Sequence, residues 1–172
     1  RAASALQPRL QCAAGCELEG ESQSTITQIT QNYLIVRLPI SKSIANRILL
    51  LQAIHRDPLM RVSLDMPDDV LILHDALKQL RAHKSGTPLT LHLKNCGTAL
   101  RFLEVHLSQC YPGEPITLTG DARLMERQGA PTTQTASALI LHGVDVPVTP
   151  DESPYITMSR HMAQSYQPRM TD

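Results

Sequence analysis

Three short stretches of the chain carry residue types suited to holding a small anion. They are Leu38-Pro39-Ile40-Ser41-Lys42-Ser43-Ile44-Ala45-Asn46-Arg47, Asn95-Cys96-Gly97-Thr98-Ala99-Leu100-Arg101 and Leu118-Thr119-Gly120-Asp121-Ala122-Arg123-Leu124-Met125-Glu126-Arg127. Each joins small or hydroxyl residues to a Lys or Arg, and the first two run into an apolar helical pattern. The start of a helix offers unpaired N–H groups and the positive end of a dipole, which together favour phosphate or carboxylate.

In a helix beginning near Ser43, Arg47 lies one turn further along the same face. Lys42 sits just before that helix. A lysine point charge, a serine hydroxyl, backbone amides and an arginine fork can then converge on one anion. The dipole contributes about 0.3–1 kcal/mol. Charge-assisted hydrogen bonds at about 1.5–3 kcal/mol each outweigh it. In the second stretch, Gly97 permits close backbone approach, Thr98 is a capping candidate, Arg101 falls in the first turn and Asn95 is polar at a strand end. In the third, Arg123 is a candidate clamp after a Thr-Gly-Asp turn. Each stretch alone also fits a plainer description: a capped helix with solvated basic residues, an ordinary strand–turn–helix junction, and a surface Glu–Arg pair of little energetic weight.

Composition narrows the classes. The 172 residues are 42% hydrophobic, so one globular domain with a real core is expected, or two very small ones. One Phe, four Tyr and no Trp leave the core to Leu, Ile, Val, Ala and Met. So few rings argue against a nucleic-acid stacking surface. Sixteen basic and sixteen acidic side chains cancel, so no global field draws in a polyanion, and nucleic acid is not an expected partner. Cysteines at 12, 16, 96 and 110 lack zinc-ligand spacing and read as free thiols in a reducing compartment. The seven histidines are scattered, with no pair in a metal or triad context, so no metal site is expected. No apolar run reaches the ~20 residues that span a bilayer. The N-terminus lacks an apolar signal region, so a soluble, cytoplasmic protein with no membrane partner is expected.

Elements must position these groups. Residues 1–30 carry little periodicity and read as an irregular arm or residual tag, ahead of a domain over 31–172. Tyr33–Val36 reads as a strand, and Ile44, Ile48, Leu49, Leu51 and Ile54 recur at helical spacing after it. Arg61–Leu64 reads as a short strand. Asp68 and Asp69 open a second helix whose stripe is Val70, Leu73, Leu77 and Leu80. Leu89–Leu93 alternates as a strand, a helix follows from about Thr98 to Gln109, and Ile116–Leu118 is another strand. Further helices are expected at about 132–141 and 155–166, with Val144–Val148 as a strand between them. The alternation predicts a mixed α/β domain.

In wording and order the three stretches resemble the 5-enolpyruvylshikimate-3-phosphate synthase family, the carboxyvinyl transferases of the shikimate pathway of aromatic amino acid biosynthesis. That family carries Leu-Pro-Gly-Ser-Lys-Ser-X-X-Asn-Arg, Asn-Ala-Gly-Thr-X-X-Arg and Thr-Gly-Asp-X-Arg-X-X-X-Arg-Pro. A weaker fourth match, Ser153-Pro154-Tyr155-Ile156-Thr157-Met158, is similar to its Pro-Tyr-Ile-Asp-Met segment. The resemblance implies one domain of the enolpyruvyl transferase type, α/β (mixed α+β), built from repeated βαβαββ-like units with helices starting at an anion-binding cleft. It implies transfer of the enolpyruvyl group from phosphoenolpyruvate to the 5-hydroxyl of shikimate 3-phosphate, through a tetrahedral intermediate and without cofactor. Carried over by position, Lys42 touches both substrates, and as the catalytic candidate stabilises charge rather than moving a proton. Ser43 and Arg47 hold shikimate 3-phosphate, and Gly97 and Arg123 hold phosphoenolpyruvate. Asn95, Thr98 and Arg101 shape that subsite, and Tyr155 contacts shikimate.

The chain also departs from the family pattern. Family members are more than twice as long and close two similar domains on a cleft, so a complementing second domain is an implied partner. The acid–base carboxylates of that domain and a Ser-Ser-Gln segment have no counterpart here. Ile40 stands for the usual Gly, Cys96 for Ala, Phe102 for a frequent Pro and Gln128 for Pro. Phe102, beside the phosphoenolpyruvate subsite, bears on sensitivity to the inhibitor glyphosate. Two other readings stand beside this one. A non-catalytic fragment that only binds shikimate 3-phosphate fits the missing carboxylates. The related UDP-N-acetylglucosamine enolpyruvyl transferases have Asn after the motif lysine, where this chain has Ser43.

Overall fold

A computed structural model describes residues 40–129 and 131–168. The expected N-terminal arm and the strand at Tyr33–Val36 lie outside the described residues. Within them the order is α1 (Lys42–Ile54), α2 (Asp68–Ala82), β1 (Leu89–His92), α3 (Gly97–Cys110), β2 (Ile116–Thr119), α4 (Ala122–Met125), α5 (Thr133–Leu141) and α6 (Pro154–Ser165). The domain is mixed α/β, as the alternation predicts.

Strands β1 and β2 pair in parallel, with Leu89 opposite Ile116 and His92 opposite Thr119. Parallel neighbours need a crossover, and α3 provides it. Both strands therefore end at the same edge, where the second and third motifs begin. Leu91, Leu93 and Leu118 face the core from this pair. Helix α2 buries Val70, Leu73, Ala76, Leu77 and Leu80, the expected stripe with one alanine added. Aliphatic side chains supply most of the core, and each fully buried leucine contributes about 1.5–3 kcal/mol.

Helix α1 departs from its expected face. Ile44 is exposed and Ile48 half-buried, whereas Ala45, Asn46, Arg47, Leu49, Leu50, Leu51 and Gln52 are buried. This helix packs against α2, α3, α5 and α6, so nearly its whole circumference is covered and a one-stripe pattern does not describe it.

Two expected strands are irregular. Among the described residues Arg61–Leu64 has no strand beside it, and Leu64 is 96% exposed. At Val144–Val148 the backbone carbonyls are taken by a side chain instead: Arg160 Nη2 donates to Val146 O at 2.6 Å and to Pro147 O at 3.4 Å. Glu152 holds that guanidinium in place, with Oε2 at 3.0 Å from Nη2. Helix termini are better marked. Thr132 and Thr135 form a capping box on α5, and Ser153 caps α6 ahead of Pro154 at its first position.

Candidate functional site

The first motif puts Lys42 at the first turn of α1, which Ser41 O opens by accepting from the amides of Ile44 and Ala45 at 3.0 and 2.9 Å. The lysine is exposed, and its Nζ donates to Asp69 Oδ2 at 3.0 Å. Hydrogen bonding to Asp69, with its charge, raises the Lys42 pKa. Asp69 lies in the first turn of α2, and its backbone carbonyl meets the Cys96 thiol at 4.0 Å. Cys96 in turn caps α3 by accepting from Ala99 N at 3.3 Å. Burial pushes the Cys96 thiol up to about 12, so it caps as a neutral group. The starts of α1, α2 and α3 are thus gathered around Asp69. Sequence reasoning read Asp69 as a helix-dipole acid, and nothing local announces its bond to a lysine 27 residues away.

Arg47 points inward and is fully buried. Its Nε donates to Ser159 Oγ at 2.7 Å, Nη1 to Ser43 O at 2.9 Å, and Nη2 to Ser137 Oγ at 2.9 Å and Tyr155 O at 3.2 Å. Four of the five guanidinium N–H groups therefore have protein acceptors. The cation lies 5.8 Å from the Phe102 ring centroid and 5.6 Å from that of Tyr155. Desolvation lowers its pKa, the direction burial imposes on any cation. Arg47, Ser43 and Tyr155 are brought together, but through two backbone carbonyls and a ring. Ser137 and Ser159, both buried, complete the cluster and were not singled out by motif reading. Phe102, the family departure, forms the floor beneath the guanidinium.

The second and third motifs meet at the strand ends. Asp121 N donates to Lys94 O at 2.8 Å, and Lys94 takes a left-handed conformation with φ 51°. A Cβ on Gly120 would lie 2.5 Å from Lys94 O and 2.6 Å from Leu124 Cδ2, so the close approach demands glycine. Deeper in, Arg101 Nη1 donates to Glu104 Oε2 at 2.9 Å, and Glu104 Oε1 accepts from Gly129 N at 3.0 Å. Arg101 is buried and spent on this link between α3 and the turn after α4. Asn95 is exposed in the β1–α3 turn and Thr98 is half-buried in the first turn of α3. A Cβ on Gly97 would meet nothing within 4 Å, so open space lies over the start of α3. Arg123 is exposed on α4, with no hydrogen bond or ion pair among the described residues.

A parallel β–α–β crossover whose strand ends open into helix starts places the domain in the mixed α/β class. Comparison with known proteins goes further. The chain is 37% identical over 111 residues to the 3-phosphoshikimate 1-carboxyvinyltransferase of Tolumonas auensis, covering 54% of this chain and 26% of that protein. It is 32% identical over 148 residues to the enzyme of that name from Photobacterium profundum, covering 75% of this chain and 33% of that protein. With the one from Mannheimia succiniciproducens it shares 34% identity over 145 residues, 71% of this chain and 33% of the relative. No protein-family profile matches the chain, and no solved structure matches it. The chain belongs to the 3-phosphoshikimate 1-carboxyvinyltransferase (EPSP synthase) family, and it spans between 26% and 33% of the length of these relatives.

Proposed function

We propose that residues 31–172 form an enolpyruvyl-transferase-like unit that contributes the shikimate 3-phosphate site, and part of the phosphoenolpyruvate site, to carboxyvinyl transfer. In that reaction the 5-hydroxyl oxygen bonds to C2 of phosphoenolpyruvate, and inorganic phosphate leaves as the enol ether forms. The observation that supports this most is the meeting of the α1 and α3 starts at Asp69, with open space over Gly97. Lys42 sits beside that space, and it supplies positive charge to both anions once Asp69 yields it. Arg123 faces solvent from α4 and supplies a second, phosphoenolpyruvate-side cation. Ser43 and Tyr155 shape the shikimate end, while Asn95, Thr98 and Arg101 shape the phosphoenolpyruvate subsite. The general acid and base then come from a second domain, which this reading makes a partner.

A second reading, a binding-only anion module, is favoured by one specific arrangement. Arg47 and Arg101 are consumed by internal bonds, and Lys42 is paired with Asp69, which leaves the exposed Arg123 and Arg127 as the cations of the motifs with no such bond among the described residues. Calorimetric titration of the chain with shikimate 3-phosphate, followed by an assay of phosphate release from phosphoenolpyruvate, separates the two. Binding with turnover supports transfer by this chain. Binding without turnover supports the module. Binding of neither anion rejects both.

A further inference from the structure

We infer that the far end of α3 carries a binding site for a transition-metal ion of the zinc type, with His106, Cys110 and His142 as its protein ligands. His106 and Cys110 are four residues apart on α3 and so share one face of it. His142 is the residue that ends α5, which packs on α3, and its ring comes to 5.2 Å from that of His106. His106 Nδ1 and His142 Nε2 are 3.2 Å apart, and one ring nitrogen from each histidine and the Cys110 sulfur all lie within 4.8 Å of one another. Residues distant in sequence therefore present two imidazole nitrogens and a sulfur to one point, which corrects the reading of the histidines as scattered.

The geometry is close to what the ion needs. Tetrahedral zinc with bonds of about 2.0–2.1 Å to nitrogen and 2.3 Å to sulfur places its ligand atoms roughly 3.3–3.6 Å apart. The two nitrogens are already near that spacing. Rotation about the Cys110 side chain, which is exposed, lets the sulfur close on that spacing. An N–H···N hydrogen bond between the rings accounts for the nitrogen pair alone and gives the sulfur no role. Two imidazoles with one thiolate suit zinc, whereas hard cations such as calcium and magnesium want oxygen ligands. On binding, Cys110 exchanges its thiol proton for the metal and the proton passes to solvent. Three protein ligands leave a fourth position for water or an external donor. The site lies along α3 from Gly97 by about 1.5 Å per residue, close to 20 Å, and is separate from the anion-handling edge.

The full chain, freed of metal, is titrated with Zn2+ by calorimetry and with Co2+ by absorption spectroscopy. The expected result is one ion per chain with a thiolate-to-cobalt charge-transfer band. Cys110→Ser abolishes the band and weakens Zn2+ binding by about tenfold or more. His142→Gln does the same, and the Cys12→Ser/Cys16→Ser double variant leaves both signals unchanged. Absence of stoichiometric binding, a band that survives Cys110→Ser, or a band lost in the Cys12/Cys16 variant overturns the assignment. Circular dichroism confirms folding, and should His142→Gln not fold, the exposed Cys110→Ser variant decides alone.

Discussion

Arg47 and Arg123 come from motifs of the same outward type, yet the fold uses them in opposite ways. Arg47 follows the helix start by one turn and is drawn into the core, where serines from α5 and α6 and two backbone carbonyls surround it. Arg123 sits on a four-residue helix at the strand edge and stays in solvent. A basic residue in an anion motif can thus be architecture or recognition, and burial decides which. A buried guanidinium has exchanged water for fixed acceptors, so removing it strands those acceptors. An exposed one can be removed with little cost to the fold.

The widest test of this contrast is Arg47→Ala. Chemical denaturation is expected to show a loss of about 3–5 kcal/mol, the range for emptying a large buried site. Arg47→Met sharpens it: stability equal to the parent chain means that desolvating the guanidinium cancels its bonds. Next, Arg123→Ala and Lys42→Ala each leave stability within about 0.5 kcal/mol. They weaken anion binding, Arg123→Ala toward phosphoenolpyruvate and Lys42→Ala toward shikimate 3-phosphate, each by about 1.5–3 kcal/mol. Unchanged affinity in calorimetry removes that residue from the site. The glycines repeat the contrast on a smaller scale. Gly120→Ala drives a Cβ into Lys94 O and costs about 1–3 kcal/mol in a melting experiment. Gly97→Ala meets open space, and a change in stability under about 1 kcal/mol is expected, with reduced phosphoenolpyruvate affinity if the ligand fills that space.

Much of this arrangement is legible in the sequence, for reasons that differ by element. The stripe of α2 and the alternation of Leu89–Leu93 report a single buried face, and such patterns survive folding. The pattern of α1 misleads because the helix is enclosed on most sides. Arg61–Leu64 and Val144–Val148 have strand-like composition, but a strand needs a neighbouring ladder, and Arg160 satisfies the second segment's carbonyls instead. Helix α4 is too short to show a period. The motifs locate Lys42, Gly97 and Arg123 from residue types alone. The partners that set their state, Asp69 for Lys42 and Ser137 and Ser159 for Arg47, are named only by long-range packing. The pairing of His106 with His142 is of the same kind, although the four-residue step from His106 to Cys110 was visible.

The guanidinium of Arg47 is also a clasp along the chain. It fastens residue 47 to residues 137, 155 and 159, so the first helix and the last two share one latch. Neither α5 nor α6 can lift away without abandoning a charge in an apolar setting. The amides of α1, α5 and α6 are therefore expected to exchange with deuterium as a single cooperative block. Loss of the chain after residue 150 would deprive Arg47 of two of its four acceptors, Tyr155 O and Ser159 Oγ, and the beginning of this domain depends for its order on its end.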